Sequence, residues 1–400
     1  MGSNEYVLAI DNGTQSVRAM LFDSKGWMHA NVQVPLEPFV SPRPGWAEQQ
    51  PDYFWEQLCR ACRNLFRETG AANSIRAVAV TTQRSTLINL DARGRPLRPA
   101  ILWADRRRAT GLKPMGGWFG TAARLTGAGR TLADHRAEAE ANWIAKEQPE
   151  IWEATDKFLF LSGYLNYRLC GAFVDSVGCQ AGYVPFDYRR QQWASPGHWI
   201  WRLTPITRGM LPELKPSGSV LGTVSETASM ETGIPAGLPL IAAAGDKACE
   251  VLGSGCTQPG LAHISLGTTA NVNVTTTRYV EPKRLVPPYP AAVPGRFNAE
   301  VQIFRGYWMV SWFRDQFGFR EQLASERMNV PVESLFDELA EEAPAGAMGL
   351  MLQPYWSPGI RDPGPEAKGA IVGFGDVHNR AHIYRAILEG IAYGLREGLE

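Results

Sequence analysis

The sequence has no charge excess, no long apolar run and little cysteine. Its 40 basic and 40 acidic side chains cancel to a formal charge of zero. That balance argues against a nucleic-acid footprint and against a polybasic membrane patch. No apolar stretch reaches the ~18 residues that suggest a membrane-spanning helix. Strand-like sequence begins within a few residues of Met1, which leaves no room for a secretory signal, so the expected location is cytoplasmic. Of the six cysteines, Cys59 and Cys62 form a CxxC without a second pair, inside a helical pattern. Neither a zinc site nor a disulfide framework is expected. With 44% hydrophobic and 20% charged residues, the remainder describes a globular protein. Its 400 residues exceed what one hydrophobic core usually serves, so two domains are expected.

What is present is a pair of similar turns. Tyr6–Ile10 and Val17–Phe22 read as short strands from their Val, Ile, Leu and Phe content. The polar turn Asp11–Ser16 joins them through an Asn-Gly step, which tolerates positive φ. Gly13 lets the backbone approach an anion, Thr14 to Ser16 offer N–H and hydroxyl donors, and Asp11 is suited to Mg2+, directly or through water. Alone, this reads more plainly as an ordinary N-terminal hairpin, since such turns are common. A second strand–turn–strand, Leu261 to Thr275 around Gly267-Thr268-Thr269, changes the weighing. Two such turns half a chain apart suggest two related domains, each offering small residues to one polyphosphate in a cleft between them.

These turns resemble the two phosphate-binding hairpins of the sugar-kinase/Hsp70/actin ATPases. The order and spacing of later motifs resemble the FGGY carbohydrate kinases. The resemblance implies an α/β fold of two ribonuclease-H-like (actin-like ATPase) domains with a cleft between them, here 1–245 and 246–400. It implies ATP and Mg2+, and a small sugar or polyol as acceptor; a homodimer stays open. Asp11, Gly13, Thr14, Gln15, Arg18, Gly267, Thr268 and Thr269 are the expected nucleotide contacts, with Asp11 also the metal ligand. Arg18 is equally placed for a salt bridge within its hairpin.

Taken in order, Tyr53–Thr69 reads as a helix with Asp52 at its N-cap, and Ile75–Thr81 as a buried parallel strand. That strand ends in Thr82-Gln83-Arg84-Ser85, where ligands of open α/β sheets bind. Gln83 and Arg84 match a substrate loop of glycerol kinases, with Ser85 in place of its Glu; substrate contact is the expectation for both, set against a surface salt bridge for Arg84. Trp103 and Asp105 lie in a segment resembling the family's Trp-Xaa-Asp-Xaa-Arg. Trp103 is expected to stack on a sugar, and Asp105 to accept a hydroxyl hydrogen bond or bind Arg107. Lys113–Thr131, rich in glycine, reads as a mobile loop. After it come two helices broken at Gln148-Pro149, with Glu140 where the family carries Lys three residues before Trp143. His135 reads as a surface-loop histidine.

Leu238–Ala244 reads as a buried strand, followed by Gly245-Asp246 and a helix over Lys247–Gly253. A lone Asp after a strand is commonly a helix N-cap; the resemblance makes Asp246 the catalytic base. Arg361 and Pro363, with Ile360 in a Glu position, and the run His382, Arg385, Glu389 and Gly390 follow later family segments. The chain stops at Glu400 within a helix, where family members run on into an adenosine-binding motif, so the second domain is expected to be truncated. Two rivals stay open: a non-catalytic sugar-binding or regulatory protein on the same fold, and a protein-binding ATPase related to Hsp70 and actin.

Overall fold

The computed structural model describes residues 5–282, 286–356 and 368–400. The chain forms two compact units. The first runs through Thr257 and includes Thr277–Tyr279 and Pro287–Asn298; the second takes Gln258–Thr276, Val280–Val286 and Ala299–Glu400.

The first unit is built on a six-stranded sheet. Its order is Val220–Thr223, Pro239–Ile241, Ile75–Thr82, Tyr6–Asn12, Ser16–Phe22 and Met28–Pro35. Tyr6–Asn12 pairs antiparallel with Ser16–Phe22, setting Asp11 opposite Arg18, and parallel with Ile75–Thr82, setting Asp11 beside Thr81. Pro239–Ile241 also runs parallel to Ile75–Thr82. Three parallel strands therefore release their chains at one edge of the sheet: at Asp11, at Gln83 and, a few residues on, at Asp246. Helix Pro51–Thr69 places Phe54, Trp55, Leu58, Cys62 and Leu65 in the core with Leu8, Ile10, Val78 and Val80. Cys59 and Cys62 belong to this core, where burial pushes the Cys59 thiol up to about 12 and holds Cys62 higher still. Neither thiol is available as a thiolate at neutral pH.

Helix Leu161–Cys170 buries Leu161, Tyr164, Leu165 and Leu169 in the same core. Beside it lies a buried carboxylate, Asp175, which accepts from Ser162 Oγ (2.8 Å), Gln180 Nε2 (2.9 Å), Asn166 Nδ2 (3.1 Å) and the Ser176 N–H (2.8 Å). Burial outweighs these donors and raises its carboxyl from 3.8 to about 6. The native state thus holds this proton more tightly than the unfolded chain. The group's contribution to stability is full below the unfolded value, declines as pH rises from 3.8 to about 6, and is level above that. Asp175→Asn sets an NH2 against donors and should cost about 1–3 kcal/mol. Denaturant unfolding of the two proteins across this range should show the gap narrowing as pH rises.

A smaller antiparallel sheet, ordered Glu48–Gln49, Ala100–Ile101, Leu87–Leu90 and Lys157–Phe160, carries a second core with Trp143, Ile144, Phe158 and Phe186. In the second unit, Ala262–Leu266 and Ala270–Thr276 form a hairpin with Leu266 opposite Ala270, and the next strand is Phe297–Ile303, which belongs to this unit from Ala299 on. Helices Trp308–Phe317, Val332–Glu341 and Arg380–Glu397 close its core through Met309, Phe313, Phe336, Tyr384 and Ile387. The run expected to carry a family signature has packing work here. Arg385 Nε meets Glu389 Oε1 at 2.7 Å, and that oxygen also accepts from the Gly346 N–H at 2.9 Å. A Cβ on Gly390 would stand 2.6 Å from the Leu352 carbonyl oxygen. Arg361, Pro363 and Ile360 lie outside the described residues. Among the described residues, no helix is long and apolar enough to cross a membrane.

Several expectations are corrected. The long helix starts at Pro51 with Gln50 as its cap, because a proline at the first position loses no helical hydrogen bond. Asp52 instead accepts from Tyr164 Oη (2.6 Å) and Arg168 Nη1 (2.9 Å). The glycine-rich stretch is largely helical, Gly117–Leu125 and then Gly129–Glu138. Gly117 and Gly127, at φ 70 and 73, mark the breaks rather than loosening the whole segment. The strand before Asp246 is only Pro239–Ile241, and a further strand, Lys157–Phe160, follows the break at Pro149.

Candidate functional site

The first turn is closed by the Gly13 N–H donating to the Ser16 carbonyl at 3.1 Å. A Cβ on Gly13 would meet only ordinary contacts, 3.4 Å from the Ser16 carbonyl oxygen and 3.8 Å from Asp11 Oδ1. Gln15 and Arg18 are exposed. Arg18 Nη1 lies 3.5 Å from Asp11 Oδ2, so it takes the hairpin ion-pair position; such pairs contribute at most about 1 kcal/mol. Asp11 is nevertheless raised above the usual carboxylate range. Burial is the main cause; Arg18 opposes it, and the charges of Asp246 and Glu250 add to it.

Past the end of Ile75–Thr82, the Gln83 N–H donates to the Asn12 carbonyl at 3.0 Å, joining two strand ends. Gln83 is only 2% exposed, and its Oε1 accepts from Thr14 Oγ1 at 3.1 Å. Its carboxamide therefore faces the turn rather than open solvent. Arg84 lies over the Tyr289 ring, 4.7 Å from the centroid, with Nε 3.8 Å from Asp246 Oδ1. Ser85 adopts φ 56 and donates to the Ala181 carbonyl at 2.8 Å.

Asp246 is the first residue of helix Asp246–Gly253, and Gly245 is the cap. Thr81 Oγ1 donates to the Ala244 carbonyl at 2.7 Å, fixing this segment to the neighbouring strand end. A Cβ on Gly245 would approach Arg84 Cγ to 3.0 Å, so glycine lets the guanidinium stem pass. Burial raises the Asp246 carboxyl; Arg84 and the Lys247 N–H and charge work against it, while Glu250 adds to it. Glu250 was not singled out from the sequence, although a carboxylate four residues along a helix shares the face of the first. Tyr289 had no local signal, since it meets Arg84 only through the fold.

Trp103 is 51% exposed, and its Nε1 donates to Thr14 Oγ1 at 2.9 Å. Asp105 takes the second of its two expected roles. Its side chain is 3% exposed; it accepts from Arg107 Nε (2.8 Å), Arg107 Nη2 (2.6 Å) and the Ala47 N–H (2.6 Å). No oxygen is left facing solvent. Arg107 Nη1 and Arg98 Nη2 also reach Glu48 Oε1, at 2.8 and 2.6 Å, and the Arg107 guanidinium packs against both Trp46 and Trp143, which meet edge-on. His135 is not a loop residue: it lies in the last turn of helix Gly129–Glu138, edge-on to Tyr183 at 4.8 Å, and burial lowers it to about 4. Glu140 is half-buried, and burial pushes its carboxyl up to about 7.

The second turn belongs to the second unit. Its Gly267 carbonyl accepts from the Tyr307 N–H at 3.1 Å, and Thr269 Oγ1 donates to the Phe304 carbonyl at 3.2 Å. Gly267 and Thr268 are exposed. A Cβ on Gly306 would fall 2.4 Å from Ala270 Cβ, so this turn is seated on a glycine. The structure thus brings Asp11, Thr14, Gln83, Arg84, Trp103 and Asp246 to one edge of the first sheet, and leaves Gly267 to Thr269 as a separate turn.

Among the described residues no three His, Cys, Asp or Glu side chains converge as a ready cage for a cation. Mg2+ needs only one or two carboxylates besides phosphate oxygens and water. Asp11, raised by burial and by the charges of Asp246 and Glu250, fits that need.

Two family descriptions match in succession: the N-terminal domain of the FGGY family of carbohydrate kinases over residues 6–253, and the C-terminal domain over 262–400. An uncharacterized sugar kinase of Escherichia coli K12 is 28% identical over 401 residues, covering 100% of this chain and 73% of the relative. A glycerol kinase of Acidovorax sp. JS42 is 29% identical over 400 residues, covering 97% and 76%. In structure, the ligand-bound xylulose kinase of Lactobacillus acidophilus superimposes with a TM-score of 0.81 at 20% identity, covering 99% and 78%.

Proposed function

This chain belongs to the FGGY family of carbohydrate kinases, and from that membership we propose that it transfers the γ-phosphoryl group of ATP to a hydroxyl of a small sugar or polyol, with Asp246 as general base. The observation that supports this reading is the convergence of two carboxylates from different strand ends, Asp11 and Asp246, close enough that one charge perturbs the other. Phosphoryl transfer asks for positioning and charge stabilisation more than for covalent chemistry. Asp246 takes the proton of the acceptor hydroxyl as that oxygen attacks phosphorus. Its raised affinity for a proton suits a base working near neutral pH. Arg84, held over Tyr289, places a positive charge beside the same site, and Trp103 offers its exposed ring face to the acceptor. Thr14 and Gln15 donate to phosphate oxygens, as do Gly267, Thr268 and Thr269 of the second turn. Asp11 would hold Mg2+, which supplies charge neutralisation on the triphosphate. Gln83 and Asp105 serve from behind, through Thr14 and Arg107.

The test is a screen for acceptor-dependent ADP release against a panel of polyols, ketoses and sugar acids, with and without Mg2+. At least one acceptor should stimulate release above the acceptor-free rate, and chelation should abolish it. Sugar binding by calorimetry with no turnover on any acceptor would overturn the kinase reading.

A further inference from the structure

Thr14 stands at the centre of a three-residue chain. Trp103 Nε1 donates to its hydroxyl oxygen at 2.9 Å, and the hydroxyl donates in turn to Gln83 Oε1 at 3.1 Å. Its two ends differ in freedom. Gln83 is 2% exposed, between Thr82 and the Asn12 carbonyl, and its Nε2 has no hydrogen-bond partner among the described residues. Trp103 is 51% exposed and is free to answer whatever arrives on its ring.

A hydroxyl carries one proton. While Thr14 gives that proton to Gln83, it has none for a phosphate oxygen. Turning it toward phosphate strips a buried carboxamide oxygen of its donor and moves the lone pair that the indole N–H uses. We propose that Trp103, Thr14 and Gln83 form a positioning relay that couples the nucleotide turn to the acceptor side of the site: the resting chain holds the Thr14 proton away from phosphate, and its reorientation shifts Trp103. This rests on the reading that Thr14 contacts the triphosphate. The consequence is reciprocal, since a coupling between two binding events acts equally in both directions. An acceptor that displaces the indole removes a constraint on Thr14, which favours phosphate contact only when a proper acceptor is present.

The relay is read by 19F NMR of the protein labelled with 5-fluorotryptophan, the Trp103 resonance being assigned by its loss in Trp103→Phe. In the nucleotide-free protein, Gln83→Met should move that resonance, because a thioether is a much weaker acceptor for the Thr14 proton than the carboxamide oxygen. Saturation with Mg2+ and a non-hydrolysable ATP analogue should move it in the wild type and in Thr14→Ser, and leave it in place in Thr14→Val. A Trp103 resonance unmoved by Gln83→Met, or unmoved by nucleotide that calorimetry shows to be bound, overturns the relay and leaves the kinase reading standing. No heat of nucleotide binding in the wild type overturns the nucleotide reading, and the relay with it.

Discussion

Asp246→Asn is expected to lower kcat by about 10³, the middle of the ~10²–10⁴ range for a positioned general base, with little change in either KM. The amide keeps the size of the side chain and can still accept from the Lys247 N–H, which reaches Asp246 Oδ1 at 2.7 Å. It cannot take up a proton at any accessible pH. Binding should survive because Arg84 and Trp103 remain, and an unchanged unfolding midpoint would show that the helix start is intact. The pH profile gives an independent sign. Burial raises the wild-type carboxyl above its ordinary 3.8, and the base works only when ionised. Wild-type activity should therefore fall as pH drops through that raised value, an acid limb displaced upward from the ordinary carboxylate range, and the variant's residual activity should lack that limb. A variant within threefold of wild-type kcat would remove Asp246 from the chemistry.

The largest effect on stability is expected from Arg107→Met, about 3–5 kcal/mol. Arg107 joins two carboxylates, Asp105 and Glu48, and lies 3.9 Å from the Trp46 ring centroid and 4.6 Å from that of Trp143. Methionine keeps part of the packing against the rings but leaves Asp105 buried without its cation. Arg98 remains to partner Glu48 alone, at 2.6 Å. Urea unfolding should show a lower midpoint with an unchanged slope. Asp105→Asn separates a bracing residue from a substrate ligand. It loses charge-assisted bonds, each about 1.5–3 kcal/mol, so it should lower the midpoint while the folded fraction keeps the wild-type acceptor KM. A raised KM at full stability would place Asp105 among the ligands instead.

Asp105 also shows where sequence reading gives way. Its neighbour Arg107 was visible two residues on, and pairing with it was one of the two roles considered. What decides between them is Glu48, Arg98, Trp46 and Trp143, brought together from three separate stretches of the chain. The first turn was legible because every cue is local: apolar strands of period two around an Asn-Gly step. Its partner strand, Ile75–Thr82, was legible from its Ile, Ala and Val content. Composition misled at Lys113–Thr131, where glycines at the ends of two helices were counted as though spread through a loop. Tyr289 could not be read at all, since nothing in a Pro-rich neighbourhood announces a ring destined for a guanidinium.

The interleaved chain path has a consequence for ancestry and engineering alike. Tyr289, which supports Arg84, is encoded after the chain has already entered the second unit at Gln258 and returns with Pro287–Asn298. No single recombination point can exchange one half for a foreign counterpart without parting that ring from its cation. Chimeras that exchange the second unit and keep Tyr289 with Arg84 should therefore need a junction at Gln258 as well as one on each flank of the returning segment.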